Sequence, residues 1–167
     1  MSPDLLMLSL LGAPLFTGLA PLQLKVLALT AERVSFRDGE AVIRSGEEGD
    51  AAFLIVSGEV AVDLADDMVG ERAVLPAGTL VGELAMLIET EHGSTVKATG
   101  SVNALRFSRQ MMHELMQRYP GMAEHFTAKI RQRLEQMAEA LREIDEMLDL
   151  GDDLGGESQP AERQAMH

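Results

Sequence analysis

The chain has 167 residues and a net charge of −13, with 14 Lys and Arg set against 27 Asp and Glu. Nucleic-acid binding needs a clustered basic face that releases counterions, and this composition does not supply one. The absence of Cys excludes disulfides, thiolate metal sites and cysteine nucleophiles, and fits a reducing compartment.

The length suits one domain with extensions, large enough to bury a core. Hydrophobic residues make up 46% but aromatics only 4%, so aliphatic side chains and eleven Met must fill the interior. The first apolar run, Leu5 to Leu11, follows Asp4 and precedes the first base, Lys25, which is the wrong charge order for a signal peptide. Ser2-Pro3 and Gly12 frame it as a short capped helix, too short to span a bilayer. A soluble, cytoplasmic protein is expected.

From Pro21 the spacing is helical, with Leu22, Val26 and Leu29 on one face and Leu24 and Leu27 beside it. From Val34 to Ala104 the segments shorten, become rich in Val, Ile and Thr, and are cut repeatedly by glycine. That punctuation signals an all-β barrel or sandwich. Phe53, Ile55 and Val60 to Val62 supply strand positions around a turn at Ser57-Gly58, and Asp66-Asp67 reads as a further turn.

Helical spacing returns after Ser108, with Met112, Leu115 and Met116 on a stripe ended by Tyr119-Pro120. In the last helix Met122, Phe126, Ile130, Leu134, Met137, Leu141, Ile144 and Leu148 recur at steps of four and three, the seam of a coiled coil. Two readings stand: the whole helix packs on its own barrel, or its later half pairs with a second copy. Beyond Leu150 the acids and glycines read as a disordered tail whose simplest role is to keep the chain soluble.

Residues 36–62, FRDGEAVIRSGEEGDAAFLIVSGEVAV, and 75–87, LPAGTLVGELAML, resemble the two halves of the cyclic-nucleotide-binding domain family. The resemblance covers about residues 15–148. It implies a mainly β fold with flanking helices (α+β), a cyclic-nucleotide-binding β-roll or jelly-roll barrel. On that basis residues 1–32 are N-terminal helices, 33–107 the roll with a phosphate-binding cassette at 81–95, 108–149 the trailing helices, and 150–167 the acidic tail.

The cassette reads VGELAMLIETEHGSTV over residues 81–96. By resemblance a short helix starts near Glu83, and the ligand-binding residues are Gly82, Glu83, Leu84, Ala85, His92, Gly93, Ser94 and Thr95. The unpaired N–H groups at a helix start suit a cyclic phosphate, and Gly82 lets the backbone approach it. Glu83 matches the family's ribose-binding glutamate; its alternative role is to complement the helix dipole. Ser94 and Thr95 offer N–H or hydroxyl donors.

One departure matters. The family pattern has Pro-Arg where this chain has Glu91-His92. A permanently charged, two-pronged guanidinium gives way to an imidazole that is largely neutral at pH 7. Loss of one charge-assisted hydrogen bond costs about 1.5–3 kcal/mol, roughly ten- to a hundredfold in affinity. Glu89 and Glu91 add repulsion toward a phosphate. Lys97 shares a strand face with Thr95 and is the other cation nearby; it either helps with charge or is simply solvated.

The four histidines (92, 113, 125 and 167) show no metal-ligand spacing, and no Ser-His-Asp order, P-loop or zincin motif appears. Catalysis has no candidate, no cofactor or metal is expected, and the possible ligand is cyclic AMP or cyclic GMP. Two functions compete. One is a sensor, homodimeric through residues 122–148, that binds a small anionic nucleotide and signals to a separate protein partner. The other is a ligand-free module of the same fold that acts by dimerising or docking. In catabolite-activator relatives the trailing helix leads into a DNA-reading helix-turn-helix. None is recognisable here, and neither nucleic acid nor membrane is an expected partner.

Overall fold

In a computed structural model the described residues are 3–63 and 72–155. The chain divides into two compact units, residues 1–125 and residues from 126 onward.

The first unit opens with helix α1 (Pro3–Leu11), a short 3-10 turn (Pro14–Phe16) and helix α2 (Pro21–Thr30). Among the described residues ten strands follow: β1 (Glu32–Phe36), β2 (Ala41–Ile43), β3 (Glu48–Gly49), β4 (Ala51–Ser57), β5 (Val60–Asp63), β6 (Arg72–Leu75), β7 (Leu80–Val81), β8 (Thr90–Glu91), β9 (Thr95–Ala98) and β10 (Val102–Ser108). They build two four-stranded antiparallel sheets, ordered β1-β10-β4-β7 and β2-β9-β5-β6, with β3 and β8 as a separate pair. The fold is a β-roll with flanking helices.

The core lies between the sheets. Ile55, Val81, Val102 and Ala104 from one meet Val42, Ile43, Val60, Val96 and Ala98 from the other. In β4 the expected alternation of buried and exposed residues fails, because both of its faces are covered. Ile55 enters the core between the sheets, while Leu54, equally buried, turns to the outer face. Helix α1 packs against β4 and α2 packs on α1, and the rings of Phe16 and Phe107 meet at 5.4 Å.

Helix α2 corrects the sequence reading. Its buried residues are Leu24, Leu27 and Ala28, whereas Leu22 and Leu29, on the expected apolar face, are exposed. The helix is apolar nearly all round, so hydrophobic spacing alone does not select a face.

Helix α3 (Arg109–Arg118) begins at Ser108, whose side chain accepts a hydrogen bond from the Met111 N–H at 3.1 Å. It buries Met112 and Leu115. Helix α4 spans Pro120–Gly155. Its residues 150–155 were expected in the disordered tail; helix propagation, one hydrogen bond per added residue, carries the rod past Leu150. Every residue from Leu134 to Asp149 is exposed, Leu134, Met137, Leu141, Ile144 and Leu148 among them. Among the described residues no helix is long and apolar enough to cross a membrane. Ser2, the expected turn at Asp66-Asp67 and tail residues 156–167 lie outside the described residues.

Candidate ligand cassette

The segment 81–95 is pinned at both ends and in its middle. At its start β7 pairs with β4, placing Val81 opposite Phe53. At its end β9 lies between β2 and β5. In between, β8 pairs with β3, so Thr90 faces Gly49 and Glu91 faces Glu48. Backbone bonds extend that pairing: the His92 N–H donates to Glu47 at 3.0 Å, and the Gly46 N–H to His92 at 2.9 Å.

Gly82 has φ 68° and ψ 30°, left-handed values that favour glycine. It turns the chain from β7 into a 3-10 helix over Glu83–Met86, and the Ala85 N–H returns to the Gly82 carbonyl at 3.0 Å. Ala85 and Met86 are buried, which fixes the helix on the roll, while Glu83 and Leu84 are half-buried at its outer start.

The side chain at position 92 enters this turn. A β-carbon built on Gly82 would lie 3.1 Å from Cε1 of His92, and one built on Gly49 would lie 2.6 Å from the same atom. The Gly49 β-carbon would also come within 2.7 Å of the Ala85 β-carbon. The imidazole therefore stands against two glycines, Gly49 and Gly82, with Ala85 also close beside Gly49. No larger residue fits at Gly49 unless its neighbours move.

The structure thus gathers Gly82, Ala85 and His92, with Glu83 and Leu84 at the rim. Gly93 is exposed with open space on its side-chain side. Ser94 is half-buried. The Thr95 hydroxyl accepts a bond from the Ser45 N–H at 3.0 Å, so that oxygen already serves the fold. Lys97 lies between Ala41 and Ala61 and lines an outer groove with Asp38, Glu40 and Arg44. Among the described residues no cluster of His, Asp and Glu is arranged to hold a metal ion.

Three residues at the cassette escaped the sequence reading: Gly49, Arg109 and His113. Nη1 of Arg109 donates to the carbonyls of Gly49 and Ile88, each at 3.0 Å, and His113 donates from Nε2 to the Leu87 carbonyl at 3.0 Å. The doublet Glu48-Gly49, ahead of Asp50, was the available signal for the first. A side chain that reaches a distant carbonyl leaves none.

Comparison with known proteins places these features in context. A family model described as the cyclic nucleotide-binding domain matches residues 33–119. The cyclic AMP receptor protein of Thermus thermophilus is 31% identical over 141 residues, which cover 83% of this chain and 62% of that protein. The cAMP-dependent protein kinase regulatory subunit of Blastocladiella emersonii is 29% identical over 105 residues, 62% of this chain and 26% of that one. This chain therefore spans less than two thirds of either. In fold, the N-terminal domain of a transcriptional regulator from Streptomyces coelicolor A3(2) superposes with a TM-score of 0.71 at 23% identity, covering 80% of this chain and 94% of that one.

Proposed function

The chain belongs to the cyclic nucleotide-binding domain family, and from that premise we propose that it is a non-catalytic sensor whose cassette takes a small anionic ligand of the cyclic AMP or cyclic GMP type. The observation that carries the reading is the placement of His92. From the position where the family pattern has arginine, its ring reaches the left-handed turn at Gly82. A phosphate held against the first N–H groups of the cassette turn would meet that imidazole. Glu83, at the turn's start, would accept from the ribose hydroxyl. Gly93 and Ser94 would border the phosphate, and Leu84 and Ala85 would complete the wall.

The expected affinity is low. A neutral imidazole gives one hydrogen bond where a guanidinium gives two charge-assisted ones. A cationic imidazole would hold an anionic ligand more tightly than a neutral one.

Output in this proposal passes through α4. Six large apolar side chains from Leu134 to Leu148 are exposed along it, Met147 among them. A second copy would cover them as a homodimer through residues 122–148, and a separate protein partner would read its state, in the cytoplasm.

A second reading has its own support. The ring stands close to both Gly49 and Gly82, where it would serve packing within the roll rather than a ligand. The chain would then be a ligand-free docking module. Calorimetric titration of the full chain with cyclic AMP and with cyclic GMP, at pH 6 and pH 8, tests the two. Binding that is stronger at pH 6 supports the sensor. No heat at millimolar ligand at either pH, from folded protein, leaves the docking module.

A further inference from the structure

The far end of the cassette is held from outside. A helix leaves its last carbonyls without donors of its own. After Glu83–Met86, α3 supplies them. Nη1 of Arg109 donates to Ile88 at 3.0 Å and to Ala85 at 3.4 Å, the weaker of the two. One helical turn later, Nε2 of His113 donates to Leu87 at 3.0 Å. The leading helix of the cassette is thus capped in trans by two side chains spaced i and i+4 on α3.

Arg109 also grips the other side. Its Nη1 donates to the Gly49 carbonyl at 3.0 Å, and its own backbone N–H donates to Asp50 at 2.7 Å. Gly49 is therefore shared: its carbonyl is bound to Arg109 while its α-carbon faces the His92 ring. Nearby Arg106 behaves differently, pairing with the carboxylates of Glu32 and Asp50 at 3.2 and 3.3 Å. A guanidinium directed at three carbonyls of two separate segments binds backbone to backbone.

We propose that Arg109 and His113 are positioning residues that lock the cassette to the start of α3, so that any ligand that shifts the cassette moves α3 through these bonds. The proposal rests on the sensor reading for the nature of the ligand; the clamp itself stands on geometry. All three contacts leave one nitrogen, Nη1, whose two hydrogens are shared among the three carbonyls, so the grip is convergent rather than forked.

Hydrogen exchange on the full chain tests it. In Arg109→Gln, amides 83–92 should exchange about tenfold faster or more, consistent with loss of bonds worth about 1.5–3 kcal/mol. Amides of β4 and β10 should keep the wild-type rate. His113→Ala should give a smaller change confined to residues near Leu87. Cassette exchange that is unchanged, or that rises equally in every strand, overturns the clamp. If Arg109→Gln does not fold, His113→Ala carries the test alone: faster exchange confined to residues near Leu87 supports the clamp and unchanged exchange there overturns it. Cyclic AMP is the probe for coupling: if it binds and protects the cassette, amides 109–113 must also respond, and their silence overturns the proposal. If wild-type chain does not bind cyclic AMP, the sensor reading fails and exchange in the two variants still decides the clamp.

Discussion

The imidazole of His92 lies against Gly82: a β-carbon on the glycine would stand 3.1 Å from Cε1 of the ring. The residue that replaces the family's arginine and the residue that turns the cassette are in contact, so each can be tested through the other.

Gly82→Ala meets two penalties. The left-handed backbone costs a non-glycine residue about 1–2 kcal/mol, and the new methyl group presses on the ring. Urea unfolding should show a loss of about 1–3 kcal/mol. In the His92→Ala background the steric part should vanish and the backbone part remain. Equal losses in both backgrounds would remove the contact from the account.

Gly49→Ala should be as costly without any backbone strain. Its methyl group would overlap both the His92 ring and the fixed Ala85 β-carbon, at 2.6 and 2.7 Å. Overpacking of that kind costs about 1–3 kcal/mol. The ring can swing away but Ala85 cannot, so thermal unfolding should fall even when His92 is also cut to alanine.

His92→Arg restores the permanent charge. Cyclic AMP binding at pH 8 should tighten about ten- to a hundredfold, the worth of one charge-assisted hydrogen bond. The difference between pH 6 and pH 8 should largely disappear, because guanidinium does not titrate there. Calorimetry reads both effects. Failure of the variant to bind places the defect elsewhere in the cassette.

Leu141→Lys tests the exposed face of α4. Leu141 is 61% exposed, so a charge there should change the stability of the roll little. The mass measured by light scattering at micromolar concentration should fall from dimer to monomer. A wild-type chain that is already monomeric there would exclude the homodimer.

Arg106→Ala is the control for Arg109. Its carboxylate partners are largely exposed, and surface pairs of this kind contribute about 0–1 kcal/mol. Chemical denaturation should barely register the change, and cassette exchange should not respond.

Short strands were legible because glycine turns and β-branched runs declare them, and the resemblance of residues 36–62 and 75–87 to a known family supplied the roll and the position of the cassette segment. Other parts were illegible for physical reasons. In α2, Leu22 and Leu29 look as apolar as Leu24 and Leu27, and only tertiary packing, for this helix chiefly against α1, decides which pair is buried. Arg109 and His113 sit in a helix whose sequence, RQMMHELMQR, differs little from any amphipathic helix. Their partners are carbonyls, which every residue carries, so no side-chain pattern could announce the contact.

Strand β10 has a consequence for biogenesis. It sits at the centre of its sheet, and its partner β1 is far upstream, with Glu32 opposite Arg106. During translation β1 must wait for nearly the whole roll to be made before its partner emerges. Pairings this distant in sequence close slowly. Until Ser108 has left the ribosome nothing joins β1 to β4, and a chain terminated before that residue would be a target for chaperones or proteases rather than a smaller working domain.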